Sequence, residues 1–291
     1  MIPNLINRPE PRSVALETTL LLHGVPRAGA ADLARSLKEI VRVHGASPTL
    51  IALFRGQAIV GLNDAELAEL LAAASVPKAN TANLGVLMHR GQHAATTVST
   101  TMELAAAAGV RVFATGGLGG VHRGCAEHFD VSSDLAAFTR FPVAVVSSGV
   151  KSILDVVATR EALETLGVPV VGFRTDRFPA FYQRESAAGV DARFEDVSDL
   201  AGFVRMELAR SGRGVLVVNP VPVEYEVDGG KWRSWLDLAM ERSRSEGVTG
   251  RDLTPALLAA VHELSGGETL RANVELVKSN AALAAQIAAR L

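Results

Sequence analysis

Helical periodicity alternates with short β-branched runs along the chain, and this alternation constrains the fold more than any other feature. Thr49–Phe54, Val110–Ala114, Val143–Ser147, Val168–Gly172 and Gly214–Asn219 read as strands, Val143–Ser147 being of the fully buried type. Arg55-Gly56-Gln57 reads as a turn and Ala58–Gly61 as its returning strand. Helical patterns fill Ala31–His44, closed by Gly45, then Asn63–Ala74, Val197–Arg210 and Lys231–Glu246. Another helix starts at a cap on Thr96 or Thr97 and ends at Gly109, where a left-handed cap is expected. Asn63 with Glu66 three residues on is a capping-box signature. Near the C-terminus Leu270, Val274, Val277, Ala281, Ala284, Ile287 and Leu291 fall three or four apart, one apolar stripe of an amphipathic helix. Such alternation predicts a three-layer α/β/α sandwich around a mixed, mostly parallel central sheet. No linker, compositional shift or repeat divides the chain. A loose N-terminal arm over 1–14 and one catalytic domain over 15–291 are therefore expected.

Composition narrows the function. The 291 residues are 48% hydrophobic with a net charge of −2, which excludes disorder and argues against a nucleic-acid or anionic-membrane surface. The single cysteine, Cys125, excludes an internal disulfide framework and a cysteine-rich zinc site, and it fits a reducing compartment. The N-terminus lacks a continuous apolar signal region, and no apolar run is long enough to span a bilayer. A cytoplasmic protein is expected.

The densest chemical signal lies in Ala114-Thr115-Gly116-Gly117-Leu118-Gly119-Gly120-Val121-His122-Arg123-Gly124, with five glycines in nine residues directly after a strand. Glycines there let backbone N–H groups approach an anion, and His122 and Arg123 add ionisable groups. The dinucleotide fingerprint fails because His122 stands where its third glycine belongs, and no Walker lysine follows. Asp130-Val131-Ser132-Ser133-Asp134 offers two carboxylates and two hydroxyls for a hard cation or a sugar phosphate, although taken alone the segment favours helix capping by Ser and Asp. Lys151 follows the buried-type strand; it reads either as a surface lysine opening a helix or as an amine facing a strand-end site. Glu17, within an apolar strand-like run, is either an edge carboxylate facing water or a buried proton donor. Lys78 has a solvated reading, and Asn273 and Asn280, seven apart on the last helix, leave open which reaches a pocket. His23, His44, His89 and His93 have no ligand-like spacing and read as structural.

Taken together, Ala15-Leu16-Glu17-Thr18-Thr19, Thr96-Thr97-Val98, the glycine loop from Phe113 to Gly124, Gly149-Val150-Lys151-Ser152-Ile153-Leu154-Asp155 and Phe178-Pro179-Ala180-Phe181-Tyr182 resemble the pseudouridine-5′-phosphate glycosidase, or indigoidine synthase A-like, family. The resemblance implies a homotrimeric enzyme that reversibly breaks the C–C glycosidic bond of pseudouridine 5′-phosphate, giving uracil and ribose 5-phosphate. It implies a divalent metal, manganese with magnesium as the alternative. Lys151 matches the nucleophile that forms a Schiff base with sugar C1′, Glu17 the proton donor and Asp130 the metal ligand. Lys78, Val98, Ser132, Ser133 and Asp134 match substrate-binding positions, to which our reading adds His122 and Asn273.

One segment departs from the family pattern. Where the family usually reads Lys-x-Ser-Arg-Arg-Asp-Leu, this chain has Lys78-Ala79-Asn80-Thr81-Ala82-Asn83-Leu84. If the segment borders the base pocket, its loss of charged hydrogen-bonding groups relaxes the choice of aglycone; if it lies at a subunit contact, the change is neutral. Two other functions stay open: a C-glycosynthase resembling the alnumycin enzyme, which joins ribose 5-phosphate to an aromatic polyketide, and a silent sugar-phosphate-binding relative. Retention of Glu17, Asp130 and Lys151 together argues against silence.

Overall fold

The computed structural model describes residue 2 and residues 4–248 and 253–291. In chain order it holds β1 (Ile6–Asn7), β2 (Ser13–Glu17), a π-helical turn at Leu20–Gly24, α1 (Arg27–Val43), β3 (Ser47–Phe54), β4 (Gln57–Val60), α2 (Asp64–Ala72) and β5 (Lys78–Ala79). There follow α3 (Leu84–His89), β6 (Ala94–Thr96), α4 (Val98–Ala107), β7 (Val112–Ala114), α5 (Cys125–His128), α6 (Ser133–Phe138), β8 (Ala144–Ser147) and α7 (Val156–Thr165). The last third holds β9 (Val170–Phe173), β10 (Ala192–Phe194), α8 (Val197–Ser211), β11 (Val215–Val218), α9 (Gly229–Ser245), α10 (Leu253–Leu264) and α11 (Glu268–Ala288).

The strands form one sheet in the order β1-β4-β3-β2-β7-β8-β11-β9-β10, with β5 and β6 branching from β3. Among the described residues the pairings of β3 with β4 and with β6 are antiparallel and the other ladders are parallel. Helices α1, α8 and α11 cover one face, while α4 with α6 packs on the other. This is the expected α/β/α sandwich. The central strands are buried on both faces: Ala144–Val146 and Val215–Val218 are fully enclosed, as apolar parallel strands require. The segment expected as a loose arm joins the sheet instead. Ile6 and Asn7 extend the edge of β4, and β2 begins at Ser13, because Ile6 has a free strand edge to pair with.

The local signals are realised closely. Asn63 and Glu66 close a reciprocal capping box on α2, and Gly109 takes a φ of +80° just after α4. Helix α11 differs from the amphipathic expectation. Of the predicted stripe Val277, Ala281, Ala284 and Ile287 are buried, Leu270 and Val274 are half-buried and Leu291 is exposed beyond the helix. Thr269, Ala272, Asn273, Leu276, Asn280 and Leu283 are buried as well, because α1, α8, β2, β7 and β8 all pack around the helix. Among the described residues no helix is long and apolar enough to cross a membrane.

The chain order fixes where a site can form. From β2 the crossover through α1 runs to β3 on one side, whereas β7 leads on to β8 on the other. Parallel neighbours β2 and β7 thus flank the point where winding reverses, and a crevice opens there beyond their carboxyl ends.

Candidate active site

Glu17 is the last residue of β2, and it stands at that crevice. Strand β2 stops pairing with β3 at Ile51, and β6 takes over at Ala52 and Leu53. The break is sealed by two threonines: Thr18 and Thr96 hydroxyls both donate to the Ile51 carbonyl, at 2.9 and 2.7 Å. Glu17 is therefore held rigidly, and across the reversal point Thr115, just past β7, donates its hydroxyl to the Glu17 carboxylate. Burial pushes the Glu17 carboxyl up to about 7, with the Asp134 charge adding to the rise. The Thr115 hydrogen bond and the charges of Lys151 and Lys78 pull the other way without cancelling the effect of burial. A carboxylic acid poised near neutrality and enclosed beside two amines suits proton transfer.

Lys151 follows β8 after a tight turn at Gly149. Gly149 has a φ of +78°, and a Cβ there would collide with the Pro179 carbonyl, so only glycine lets the Phe178–Tyr182 segment close over this turn. The Phe181 N–H then donates to Ser148 O at 2.9 Å, and Lys151 N–H to Leu118 O at 3.2 Å. Lys78, on the short β5, faces the same crevice; burial first, and then the Lys151 charge, lower its pKa, against the pull of Glu17.

Glu17, Thr19, Lys78 and Lys151 stand between two half-cavities, lining both. One, of about 170 Å³, is polar: Asn80, Thr97, Val98, Gly119, His122, Ser132, Ser133 and Asp134 surround it. The other, of about 250 Å³, is walled by Leu20, Phe181, Tyr182, Leu258, Leu270 and His262, with Asn273 at its side. A larger groove of about 1040 Å³ opens elsewhere, past Arg184 and Trp232, and it contains none of these ionisable residues.

The structure sorts the expected residues. Glu17, Lys78, Val98, His122, Ser132, Ser133, Asp134, Lys151 and Asn273 all line one or both half-cavities. Asp134, however, is committed to holding the protein together. Its two oxygens accept the backbone N–H groups of Ser99 and Gly119, each at 2.9 Å, tying the glycine loop to the start of α4. The loop needs glycine at this place, because a Cβ on Gly119 would fall 2.9 Å from Asp134 Oδ2 and closer still to Ser132 Oγ. Capping of α6 falls to Ser132, which accepts from Asp134 N–H at 3.2 Å.

The two asparagines separate. Asn280 is fully buried and bound to the strand ends: its Nδ2 donates to Thr115 O at 2.8 Å and its Oδ1 accepts from Asn219 at 3.0 Å. Asn273 faces the apolar half-cavity, where its Nδ2 donates to Gly24 O at 3.2 Å and its buried Oδ1 has no partner. Of the altered Lys78–Leu84 segment, Lys78 lines both halves. Asn80 reaches the polar half, and Thr81, Ala82 and Asn83 line neither. Asn80 Oδ1 instead accepts from Ala82 and Asn83 N–H, while Asn83 Nδ2 donates to Lys78 O at 3.0 Å, so the turn is closed on itself.

Asp130 sits at the rim beside the polar half. Its carboxylate is 51% exposed and 3.6 Å from His122 Nδ1, too far for a hydrogen bond, so it is open to solvent. Among the described residues no group of three or more His, Cys, Asp or Glu side chains gathers as a cage. One carboxylate with a neighbouring imidazole fits a hard cation that keeps most of its water.

The chain is similar over nearly its whole length to known proteins. The family described as "Indigoidine synthase A like protein" matches residues 6–290. A pseudouridine-5′-phosphate glycosidase of Caldanaerobacter subterraneus subsp. tengcongensis is 46% identical over 284 residues, covering 96% of this chain and 91% of that one. Its counterpart in Hahella chejuensis is also 46% identical, covering 95% and 92%. Among solved structures, an indigoidine synthase A-like protein from Thermotoga maritima superposes with a TM-score of 0.90 at 38% identity, covering 98% of this chain and 96% of that one. The prealnumycin C-glycosynthase, solved in complex with ribulose 5-phosphate, gives a TM-score of 0.88 at 35% identity, covering 96% and 91%.

Proposed function

The chain belongs to the indigoidine synthase A-like family of enzymes, and we propose that it is a C-glycosidase acting on the bond between C1′ of ribose 5-phosphate and a carbon of uracil. The observation that carries the reading is the seam of Glu17, Lys78 and Lys151 between a polar and a mainly apolar half-cavity. That division suits a sugar phosphate on one side and a planar base on the other.

The reaction has a specific difficulty. A carbon leaving group is not released by protonating a glycosidic oxygen, so a pair of carboxylates does not suffice. In the proposed sequence Glu17 protonates the ribose ring oxygen as the C1′–O bond opens, and the Lys151 amine adds to C1′. The nitrogen lone pair then forms the C=N bond of a Schiff base as the base carbon departs and takes a proton. Water hydrolyses the Schiff base to the open-chain aldehyde of ribose 5-phosphate and frees Lys151. Lys78 balances the phosphate or hydroxyl charge from the polar half, where the Ser132 and Ser133 hydroxyls also lie. The reading is supported by the glycosidase relatives and by the sugar-phosphate complex of the C-glycosynthase neighbour.

The proposed assembly is a homotrimer working in the cytoplasm, and the proposed cation is manganese, held by Asp130 with His122 beside it. When bound, the cation neutralises phosphate charge and orders water. Removing it with a chelator is expected to suppress turnover, with Mn²⁺ restoring it. Asp130→Asn is expected to weaken Mn²⁺ binding itself, measured by calorimetry; unchanged binding overturns the assignment. Magnesium restoring full activity in place of manganese would reassign the ion and leave the site.

A second reading, attachment of ribose 5-phosphate to a planar aromatic carbon acceptor, is favoured by the apolar walls of Leu20, Phe181, Leu258 and Leu270 and by the C-glycosynthase neighbour. One experiment decides between them. Purified protein is incubated with ribose 5-phosphate and either uracil or a planar hydroxylated aromatic acceptor, and products are read by mass spectrometry. Pseudouridine 5′-phosphate is the expected product. Aromatic C-riboside with no uracil product would establish the second reading instead.

A further inference from the structure

The apolar half-cavity contains polar atoms that the chemistry above does not use. His262, on α10, lines it and is half-buried. Its Nδ1 lies 2.7 Å from the Thr269 hydroxyl, which lies 2.8 Å from the Ser265 hydroxyl. When Ser265 Oγ donates its single proton to His262 O at 3.1 Å, Thr269 is the donor in the Ser265–Thr269 contact. The Thr269 proton is then spent, and its oxygen accepts from His262 Nδ1–H. In this arrangement His262 carries its proton on Nδ1, and Nε2, which has no protein partner among the described residues, is an acceptor. Burial lowers the imidazole pKa, so the neutral form persists at neutral pH.

Three further buried atoms on residues lining this half-cavity have no partner, Thr19 Oγ1 at the seam being one. Asn273 is 5% exposed, and because its Nδ2 is committed to Gly24 O the free atom is the acceptor Oδ1. Tyr182 is 1% exposed, and its buried hydroxyl lies toward Thr269 without a hydrogen bond of ordinary length. A buried polar atom without a partner is destabilising unless a ligand satisfies it. Away from the seam the cavity therefore offers two acceptors, from α10 and α11, and the Tyr182 hydroxyl as a donor.

We propose that His262 is a specificity-determining residue for the aglycone: its Nε2 and Asn273 Oδ1 accept the two ring N–H groups of a uracil-type heterocycle, while the Tyr182 hydroxyl donates to a ring carbonyl. The proposal rests on the C-glycosidase reading and specifies its aglycone. A site whose polar groups are buried and matched to a ligand's donors rejects an analogue that lacks one of them far more strongly than an apolar pocket does.

The test uses condensation with ribose 5-phosphate, comparing uracil, 1-methyluracil and 3-methyluracil, in the unaltered enzyme, His262→Ala and His262→Gln. The unaltered enzyme is expected to discriminate against both methylated bases by about 100-fold or more. His262→Ala is expected to raise KM for uracil about tenfold or more, leaving KM for ribose 5-phosphate in place, and to lose discrimination against one methylated base but not the other. His262→Gln, whose side-chain oxygen is again an acceptor, is expected to recover most of the affinity for uracil. Equal discrimination in the unaltered and Ala enzymes overturns the proposal, as does a KM for ribose 5-phosphate that rises together with that for uracil. Absence of any uracil product from the unaltered enzyme overturns the C-glycosidase reading, and this proposal with it. Borohydride trapping of ribose 5-phosphate, which depends on the sugar half alone, tells that outcome from a failure at His262.

Discussion

Borohydride added during incubation with ribose 5-phosphate is expected to leave a reduced sugar-phosphate adduct on Lys151, located by peptide mass spectrometry. Loss of the amine in Lys151→Ala is expected to lower turnover by several orders of magnitude, because a step routed through a covalent intermediate has no substitute when the nucleophile is gone. Lys151→Arg keeps the positive charge and is expected to fare no better, which separates nucleophilicity from electrostatics. The internal control is Lys78, which faces the same seam. Lys78→Ala is expected to weaken sugar-phosphate binding while still yielding the Lys151 adduct. The geometry gives a reason for the difference. Lys151 is carried at the end of central strand β8, fixed by the Gly149 turn and by its own N–H on Leu118 O. Lys78 sits on a two-residue branch of the sheet beyond β6. An adduct on Lys78, with Lys151→Ala fully active, would overturn the assignment.

How much of this was legible in the sequence depends on how far each feature reaches along the chain. The capping box at Asn63 and Glu66 is local, and it formed as read. The central strands were visible because burial on both faces leaves an apolar run that needs no partner to be recognised. The two-residue strands β1 and β5 have no such run; they exist because the edges of β4 and β6 were free to accept them. Glu17 shows the same limit at the site. An edge carboxylate facing water and a buried proton donor have identical local sequence. What decides is that β3 and β7 close on either side of β2. Asn273 and Asn280 lie two turns apart on the same helix, and the difference between ligand and scaffold came from what lies opposite, a cavity for one and strand-end carbonyls for the other. Asp134 was read as a cap or a ligand, but it binds two backbone N–H groups from segments 35 and 15 residues away. His262 carried no sequence signal at all. Its meaning depends on α10 lying beside Thr269 of α11 at the cavity wall, a juxtaposition that spacing does not reveal.

Glu17 is expected to impose opposite pH dependences on the two directions of the reaction. Cleavage requires its proton, so kcat/KM for cleavage should fall as pH rises through about 7, the value to which burial pushes this carboxyl. Condensation returns the proton to Glu17, so it should start from the carboxylate and rise through the same pH. Glu17→Gln cannot supply or take the proton and is expected to lower both directions by about 10²–10⁴-fold, with this limb lost from each profile. The substrate phosphate also titrates near neutrality, so the limb must be assigned by moving it. Thr115 donates to the carboxylate and lowers its pKa. Thr115→Val removes that donor and is expected to shift the cleavage limb to higher pH, which a substrate ionisation would not follow. Folding carries the same signature with a definite sign. The folded protein keeps the Glu17 proton up to about 7, whereas an ordinary glutamate releases it near 4.5, so stability is lost as pH rises between those values. Denaturant midpoints across that window should fall less steeply in Glu17→Gln than in the unaltered protein. Identical slopes, together with a cleavage limb that ignores Thr115→Val, would mean that Glu17 is not the acid and that the proton comes from elsewhere on the seam.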